Sequence, residues 1–177
     1  PPLAALAPER VVYVTGLSKT VAPGLRVGYL AFPPVLAERW QGASHHTTWY
    51  VSPISSLLAA RWLADGTAWK RLAAQRRELA ARHTICVRAL AGIEWRGAPH
   101  CPHVWIPLAR GTADALAKRA LTGGVVVVPS SVFAAGRSTP REGIRVSIGA
   151  ATDRGSLAET LTRLQKLLPA PARPPQR

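Results

Sequence analysis

Two short apolar runs on either side of a tight turn constrain the fold of this chain more than any other feature. The run 11–14 predicts a strand that leads into the turn, Pro23-Gly24 predicts the reversal, and the run 27–32 predicts a second strand. The turn carries Lys19 on one side and Arg26 on the other. We therefore expect a strand-turn-strand unit that holds a lysine near an arginine.

Lys19 and Arg26 together suit an aldehyde that carries a phosphate. A neighbouring cation and burial both penalise the ammonium form of a lysine, and the neutral amine attacks aldehydes. The planar fork of donors on an arginine suits a phosphate dianion better than the point charge of a lysine does. The alternative is a plain strand-turn-strand with both side chains exposed to solvent.

The segment from Thr15 to Arg26, Thr-Gly-Leu-Ser-Lys-Thr-Val-Ala-Pro-Gly-Leu-Arg, resembles a known cofactor segment. It is similar to the Schiff-base lysine segment of the class I/II aminotransferases of fold type I, which bind pyridoxal 5'-phosphate (PLP). Its Pro-Gly-Leu-Arg string especially resembles the branch that includes the MocR-type regulators of the GntR family. The resemblance implies that Lys19 bonds to PLP and that Arg26 and Ser18 bind the cofactor phosphate. The segment departs from the family at Gly16, where many relatives carry a hydroxyl, so Ser18 and Thr15 are the remaining local hydroxyls.

The composition bears on partners and on the cellular compartment. A formal charge of +14 suggests nucleic-acid binding, since basic surfaces attract polyanions. The arginines are scattered along predicted helices, however, and the sequence has no helix-turn-helix, zinc-finger or RNA-binding signature, so we interpret them as a solvated face. No apolar run reaches the ~18 residues of a membrane span. Two cysteines allow one bridge at most, and we expect a reducing cytoplasm.

The beginning of the chain predicts a fragment. The sequence contains no Met and starts at Pro1-Pro2, shortly before the first predicted strand. The resemblance implies the same, since relatives place a phosphate-binding loop, an aromatic residue that stacks on the cofactor ring and an aspartate that faces the ring nitrogen upstream of the lysine. Glu9 is the only acidic residue before Lys19 here, so we expect the fragment to be inactive alone.

The rest of the chain alternates between helices and strands, which predicts an α/β fold. Ser52-Pro53 predicts the start of a helix that ends at Asp65-Gly66, and Thr67 begins a long amphipathic helix that ends near Gly92. The other predicted elements are a short helix 33–40, a loop 42–50, strands 93–95, 104–108, 125–128 and 143–149, a helix 112–121, and a last helix that begins after Thr152 or after Ser156.

Two helices carry more detailed predictions. The apolar face predicted for the long helix comprises Trp69, Leu72, Ala73, Leu79, His83, Val87 and Leu90. Its arginines are predicted mostly on the other faces: Arg71, Arg76, Arg77, Arg82 and Arg88. In the last helix, Ser156 and Glu159 have the spacing of a capping box.

The order of elements resembles the end of the large domain of a fold type I enzyme followed by its entire small domain. The resemblance implies that residues 1–70 are the C-terminal part of the large PLP-binding domain and that residues 71–168 are the small α+β domain. It also implies a homodimer. The Pro-rich segment 169–177 is predicted to be a disordered tail.

Arg145 is the candidate for binding a substrate carboxylate. The alternating run 143–149 predicts a strand with Arg145 and Ser147 on one face and apolar residues on the other. An arginine in such a strand is costly to bury unpaired, so it should meet an anion. The resemblance implies that Arg145 binds the α-carboxylate of an amino compound through two parallel hydrogen bonds. The alternative is a structural ion pair.

Two further groups of residues carry less specific patterns. Ser130, Ser131 and Phe133 resemble a family loop that borders the substrate entrance, and a plain strand followed by a turn explains them equally well. His100, Cys101 and His103 are metal-ligand types, but a fourth ligand is not evident, so we predict no metal site.

Two classes of function remain open. One is the effector-sensing part of a MocR-type regulator, which binds PLP and an amino acid or other amine, and which contacts DNA only through an upstream winged-helix domain. The other is a free-standing amino acid aminotransferase. The segment 62–82 resembles the regulator branch more closely, so we favour the first class.

Overall fold

The computed structural model describes residues 1–37, 51–135 and 141–169. The chain forms two compact units, Pro1–Gln75 and Arg76–Arg177. Residues 38–40 of the predicted short helix, the predicted loop 42–50 and residues 170–177 of the predicted tail lie outside the described residues. Among the described helices, none combines the length and the apolar character needed to cross a bilayer.

The first unit contains the predicted strand-turn-strand. Its elements are α1 (Leu3–Leu6), β1 (Tyr13–Gly16), β2 (Gly28–Ala31), α2 (Pro53–Ala64) and the first part of α3 (Thr67–Ala89). Strands β1 and β2 pair antiparallel, with Tyr13 opposite Ala31 and Gly16 opposite Gly28. Between them, Pro23–Leu25 forms a 3₁₀ turn, and a second 3₁₀ turn at Pro34–Leu36 begins the predicted short helix. The turn predicted at Pro23-Gly24 is confirmed.

Helix α2 begins and ends where its sequence predicts. The Ser52 hydroxyl accepts a hydrogen bond from the Ser55 amide at 3.5 Å. Pro53 is the first helical residue, a position where the lack of a backbone N–H costs nothing. Gly66 follows with φ of 82°, a left-handed conformation that glycine adopts without strain. The first unit has a small core of Leu17, Leu25, Val27 and Ala59.

The second unit packs helices on a three-stranded antiparallel sheet. Its elements are the rest of α3, β3 (His103–Pro107), α4 (Ala113–Thr122), β4 (Val128–Pro129), β5 (Gly143–Ser147) and α5 (Arg154–Leu167). The strand order is β3-β5-β4, which makes β5 central. The buried side chains include Val104, Ile106, Ile144 and Val146 from the sheet and Leu157, Leu161 and Leu164 from α5. The alternation predicted for β5 is confirmed, with Arg145 and Ser147 on the less buried face.

Two predicted strands differ from the structure. Residues 93–95 form no strand, and only Arg96 makes a bridge to Trp105. The strand predicted at 125–128 is limited to Val128–Pro129, and Val126 is 76% exposed. A run of valines favours extended backbone, but hydrogen bonds to β5 decide which residues form a strand.

Two helix predictions also need correction. Helix α5 is capped by Asp153, whose Oδ1 accepts a hydrogen bond from the Ser156 amide at 2.8 Å, so Ser156 is not the cap. In α3, Trp69 is 62% exposed and Val87 is 51% exposed, although both were predicted on the buried face. Arg82 is only 7% exposed, whereas the spacing predicts the arginines of this helix mostly on its other faces. The carbonyl groups of Ile148 and Ala151, which follow β5, accept hydrogen bonds from Arg82 and explain its burial.

Gly143 lies at a point where β5 leaves no space for a side chain beside β3. A Cβ atom at this position would come within 2.6 Å of the Trp105 ring and 2.6 Å of the Ile106 carbonyl oxygen. The indole of Trp105 therefore occupies the space that a side chain at position 143 would need. Trp105 is also the residue opposite Arg145 in the register of these strands.

Candidate functional site

Buried leucines anchor the turn that carries Lys19. Leu17 and Leu25 lie in the core of the first unit. The Leu17 carbonyl accepts hydrogen bonds from the amides of Val21 at 2.9 Å and Ala22 at 3.0 Å, which closes the turn. Lys19, between these anchors, is exposed. Burial is one of the two conditions that favour a neutral lysine, and the described residues do not bury Lys19.

Arg26 has an unusual backbone conformation. Its φ of 52° and ψ of 28° make it the only non-glycine residue with positive φ in the described parts of the chain. This conformation costs an L-amino acid about 1–2 kcal/mol. It ends the 3₁₀ turn Pro23–Leu25, and Arg26 Nη1 donates a hydrogen bond to Ser18 Oγ at 3.4 Å. The strained turn therefore brings together the two predicted phosphate ligands.

The backbone of Lys19 is held from helix α3. Gln75 Nε2 donates a hydrogen bond of 2.8 Å to the carbonyl oxygen of Lys19, across 56 residues of sequence. No sequence pattern indicates this contact, because Gln75 is one polar residue among several on the surface of a helix. It is a residue of this site that sequence reasoning missed.

Arg145 lies at the centre of the sheet in the second unit. It is half-buried, opposite Trp105 of β3 and Val128 of β4. Its guanidinium carbon lies 4.8 Å from the centre of the Phe133 ring. Its Nε is buried without a hydrogen-bond partner, a deficit that costs about 1–3 kcal/mol. Among the described residues Arg145 forms no ion pair, so the alternative of a structural ion pair finds no support there.

The other candidate residues have structural contacts. Ser130 is buried, and the Ser131 hydroxyl donates a hydrogen bond of 2.7 Å to Asp114 Oδ1. His100 Nδ1 lies 3.3 Å from the Arg76 carbonyl oxygen. Within the described ranges, no three His, Cys, Asp or Glu side chains are grouped as metal ligands.

A buried arginine connects α3 with the start of α5. Arg82 donates hydrogen bonds to Glu78 Oε1 at 2.8 Å, to the Ile148 carbonyl at 2.9 Å and to the Ala151 carbonyl at 2.8 Å. Arg154 Nη2 also donates to Glu78, at 2.7 Å. The hydrogen bonds from Arg154 and Arg82 lower the pKa of Glu78 to about 2. The spacing of Glu78 and Arg82 by four residues is the only sequence signal of this network.

The chain is similar over most of its length to one protein family and to several known proteins. The family model described as aminotransferase class I and II matches residues 2–164. An uncharacterized HTH-type transcriptional regulator of Bacillus subtilis, YdeF, is 30% identical over 169 residues, which cover 95% of this chain and 37% of the regulator. The 2-aminoadipate transaminase of Thermus thermophilus is 30% identical over 171 residues, which cover 89% of this chain and 41% of that enzyme.

A solved structure has the same fold. The α-aminoadipate aminotransferase LysN of Thermus thermophilus, complexed with N-(5'-phosphopyridoxyl)-L-leucine, matches with a TM-score of 0.81 and 27% identity. The match covers 93% of this chain and 43% of that structure. The chain thus spans about two fifths of the length of these relatives.

Proposed function

Because the chain belongs to the class I and II aminotransferase family, we propose that it forms part of a PLP-binding, amine-sensing domain in a MocR-type regulator of the GntR family. The fold is that of the C-terminal part of a fold type I PLP-dependent enzyme, and the family's cofactor is PLP. The chain spans about two fifths of its relatives' length, so we propose the activity of the whole protein and do not read it from this chain alone.

The pairing of Arg26 with Ser18 carries the proposal. Within the described residues Arg26 forms no ion pair, and its one hydrogen bond is to the Ser18 hydroxyl. A guanidinium and a hydroxyl that share a strained turn, with no carboxylate bound to them, fit a phosphate dianion. Lys19 follows Ser18 directly, so the amine and the anion-binding pair occupy one turn.

Each residue in this proposal has a separate task. PLP, when bound, supplies an aldehyde that bonds to amines and a pyridine ring that withdraws electrons. The Lys19 amine would hold the cofactor through that aldehyde, and its Nζ would accept or donate a proton once an amine ligand has displaced it. Arg26 and Ser18 would bind the phosphate. Arg145 would orient the carboxylate of the ligand.

The comparisons favour a regulator, and they also support an alternative. YdeF and the probable rhizopine catabolism regulatory protein MocR of Rhizobium meliloti, at 31% identity over 78 residues, are both regulators by name. The alternative is a free-standing amino acid aminotransferase, which the match to 2-aminoadipate transaminase supports. Steady turnover of an amino acid with a keto acid by the full-length protein would favour the enzyme.

The proposal includes partners and a compartment. We expect a homodimer, an amino acid or other amine as ligand, and contact with DNA only through an upstream domain. A reducing cytoplasm agrees with Cys86 and Cys101, which are both free thiols.

The test is covalent trapping of the cofactor on the full-length protein. After incubation with PLP and reduction with borohydride, peptide mass mapping should find the phosphopyridoxyl group on Lys19. Lys19→Ala should remove it, and Lys70→Ala, at another exposed lysine of the same unit, should not. A phosphopyridoxyl group that maps to any other lysine would refute the assignment.

A further inference from the structure

We infer that Phe133 is a positioning residue for Arg145, and that its ring restricts the guanidinium to binding a carboxylate through its in-plane N–H groups. This inference rests on the proposed function, because it takes Arg145 as the group that binds the ligand's carboxylate.

The first observation is the position of the ring relative to the cation. The guanidinium carbon of Arg145 lies over the Phe133 ring, 4.8 Å from its centre. The negative face of an aromatic ring attracts a cation at such distances. The ring therefore contacts the guanidinium without using its N–H groups, which are the donors that a carboxylate uses in pairs.

The second observation is that Arg145 lacks the anion that usually holds a half-buried arginine. It forms no ion pair with any described residue, and its buried Nε has no hydrogen-bond partner. The Phe133 ring thus supplies a contact that restrains the charged end of this side chain. A guanidinium restrained before the ligand arrives loses less conformational entropy on binding it.

The third observation explains why the ring is itself held in place. Phe133 ends the 3₁₀ turn Ser130–Phe133, which directly follows β4. Within this turn Ser130 is buried, and the Ser131 hydroxyl donates a hydrogen bond of 2.7 Å to Asp114 at the start of α4. Because β4 pairs with β5 at Arg145, the turn begins directly after the strand that lies beside the arginine.

The experiment measures what a carboxylate adds to binding, without requiring turnover. The probes are N-phosphopyridoxyl-L-alanine and N-phosphopyridoxyl-ethylamine, which differ only by the carboxylate. Their dissociation constants are measured by calorimetry on the full-length protein freed of cofactor. We expect the carboxylate to tighten binding to the unsubstituted protein by about 10- to 100-fold, as a charge-assisted hydrogen-bonded pair does.

The variants separate positioning from general structure. The carboxylate advantage is the dissociation constant of the ethylamine probe divided by that of the alanine probe. Phe133→Leu should reduce this ratio by about fivefold, and Phe133→Tyr, which keeps the ring, should preserve it within about twofold. Val132→Ala is the matched control, since Val132 lies in the same turn and is exposed. In each variant the affinity for the ethylamine probe should stay unchanged, because a general loss of structure would weaken both probes alike.

Two other results have distinct meanings. Arg145→Gln should abolish the carboxylate advantage. If it does so while Phe133→Leu retains the full advantage, the role of Phe133 is refuted and that of Arg145 stands. If Arg145→Gln retains the advantage, or if neither probe binds the unsubstituted protein, the proposed function is refuted and the inference with it.

Discussion

The side-chain amide of Gln75 donates a 2.8 Å hydrogen bond to the carbonyl oxygen of Lys19. Helix α3 thereby fixes the backbone of the residue proposed to hold the cofactor. The bond lies in an exposed position, where a net contribution at the lower end of about 0.5–1.5 kcal/mol is typical. Its effect on the free energy of unfolding should therefore be small. We expect its effect on cofactor affinity to be easier to detect, because the bond sets the position of Lys19.

We predict that Gln75→Glu weakens PLP binding to the full-length protein by about two- to fivefold. The substitution preserves size, but a carboxylate cannot donate to the Lys19 carbonyl. Ala74→Gln, on the exposed surface of the same helix, is the control and should bind PLP as the unsubstituted protein does. Equal affinities for the Gln75→Glu and unsubstituted proteins, measured by absorbance titration, would show that this bond does not position the lysine.

A second prediction separates backbone strain from cofactor binding at Arg26. Both Arg26→Gly and Arg26→Ala remove the guanidinium, so both should weaken PLP binding to a similar extent. Because φ at this position is 52°, glycine relieves the strain and alanine keeps it. The strain of about 1–2 kcal/mol exceeds the extra entropy cost of glycine, about 0.5–1 kcal/mol. Arg26→Gly should therefore be about 0.5–1 kcal/mol more stable than Arg26→Ala in chemical denaturation. If alanine is the more stable of the two, the left-handed conformation is not present in solution.

A third prediction concerns acid stability and Glu78. Hydrogen bonds from Arg154 and then Arg82 lower the pKa of Glu78 from 4.5 to about 2. A depressed pKa in the folded state stabilises the protein above pH 4.5 and loses that contribution as the pH falls toward 2. Because the Glu78 side chain is 39% exposed, solvent screening reduces the contribution at neutral pH to about 1 kcal/mol.

Glu78→Gln should lower the free energy of unfolding at pH 7, and the difference from the unsubstituted protein should shrink as the pH falls from 4.5 toward 2. Glu159→Gln is the control, because Glu159 pairs with Arg163 at 3.7 Å on the surface and should contribute little. Denaturation curves at several pH values make the comparison. A difference that stays constant across this range would mean that the ion pair does not shift the titration of Glu78.

A fourth prediction concerns the two thiols. Burial raises the pKa of Cys86 to about 11, so at pH 8 only about one molecule in a thousand carries the thiolate. Cys101 is half-buried and should react first with iodoacetamide. Peptide mapping of the native protein should find Cys101 labelled, with Cys86 labelled only after denaturation. Rapid native labelling of Cys86 would mean that α3 opens readily at this position.

The sequence was most informative where local chemistry decides the structure. Ser52 and Pro53 identify the start of α2 because a cap hydroxyl and a first-turn proline act within a few residues. The face of the sheet on which Arg145 lies follows from the alternation of side chains along β5, which is a property of any strand. The turn with Ser18, Lys19 and Arg26 also follows from local features, since Pro23-Gly24 sets the reversal.

The sequence was least informative where partners come from distant parts of the chain. Asp153 and Ser156 are both good caps, and the backbone conformation of the preceding loop decides between them. Arg82 is buried because carbonyl groups at Ile148 and Ala151 accept its hydrogen bonds, and no spacing within α3 predicts them. The contact of Gln75 with Lys19 and the contact of Phe133 with Arg145 are of the same kind.

The absence of a side chain at Gly143 matters beyond its own position. The Trp105 indole fills the gap beside this glycine, and the same tryptophan lies across from Arg145. A Cβ atom at 143 would collide with the indole and with the Ile106 carbonyl oxygen, so β3 and β5, the strands that carry Trp105 and Arg145, would have to shift. We therefore expect a substitution at this glycine to weaken the carboxylate binding that we propose for Arg145, although position 143 itself contacts no ligand in that proposal.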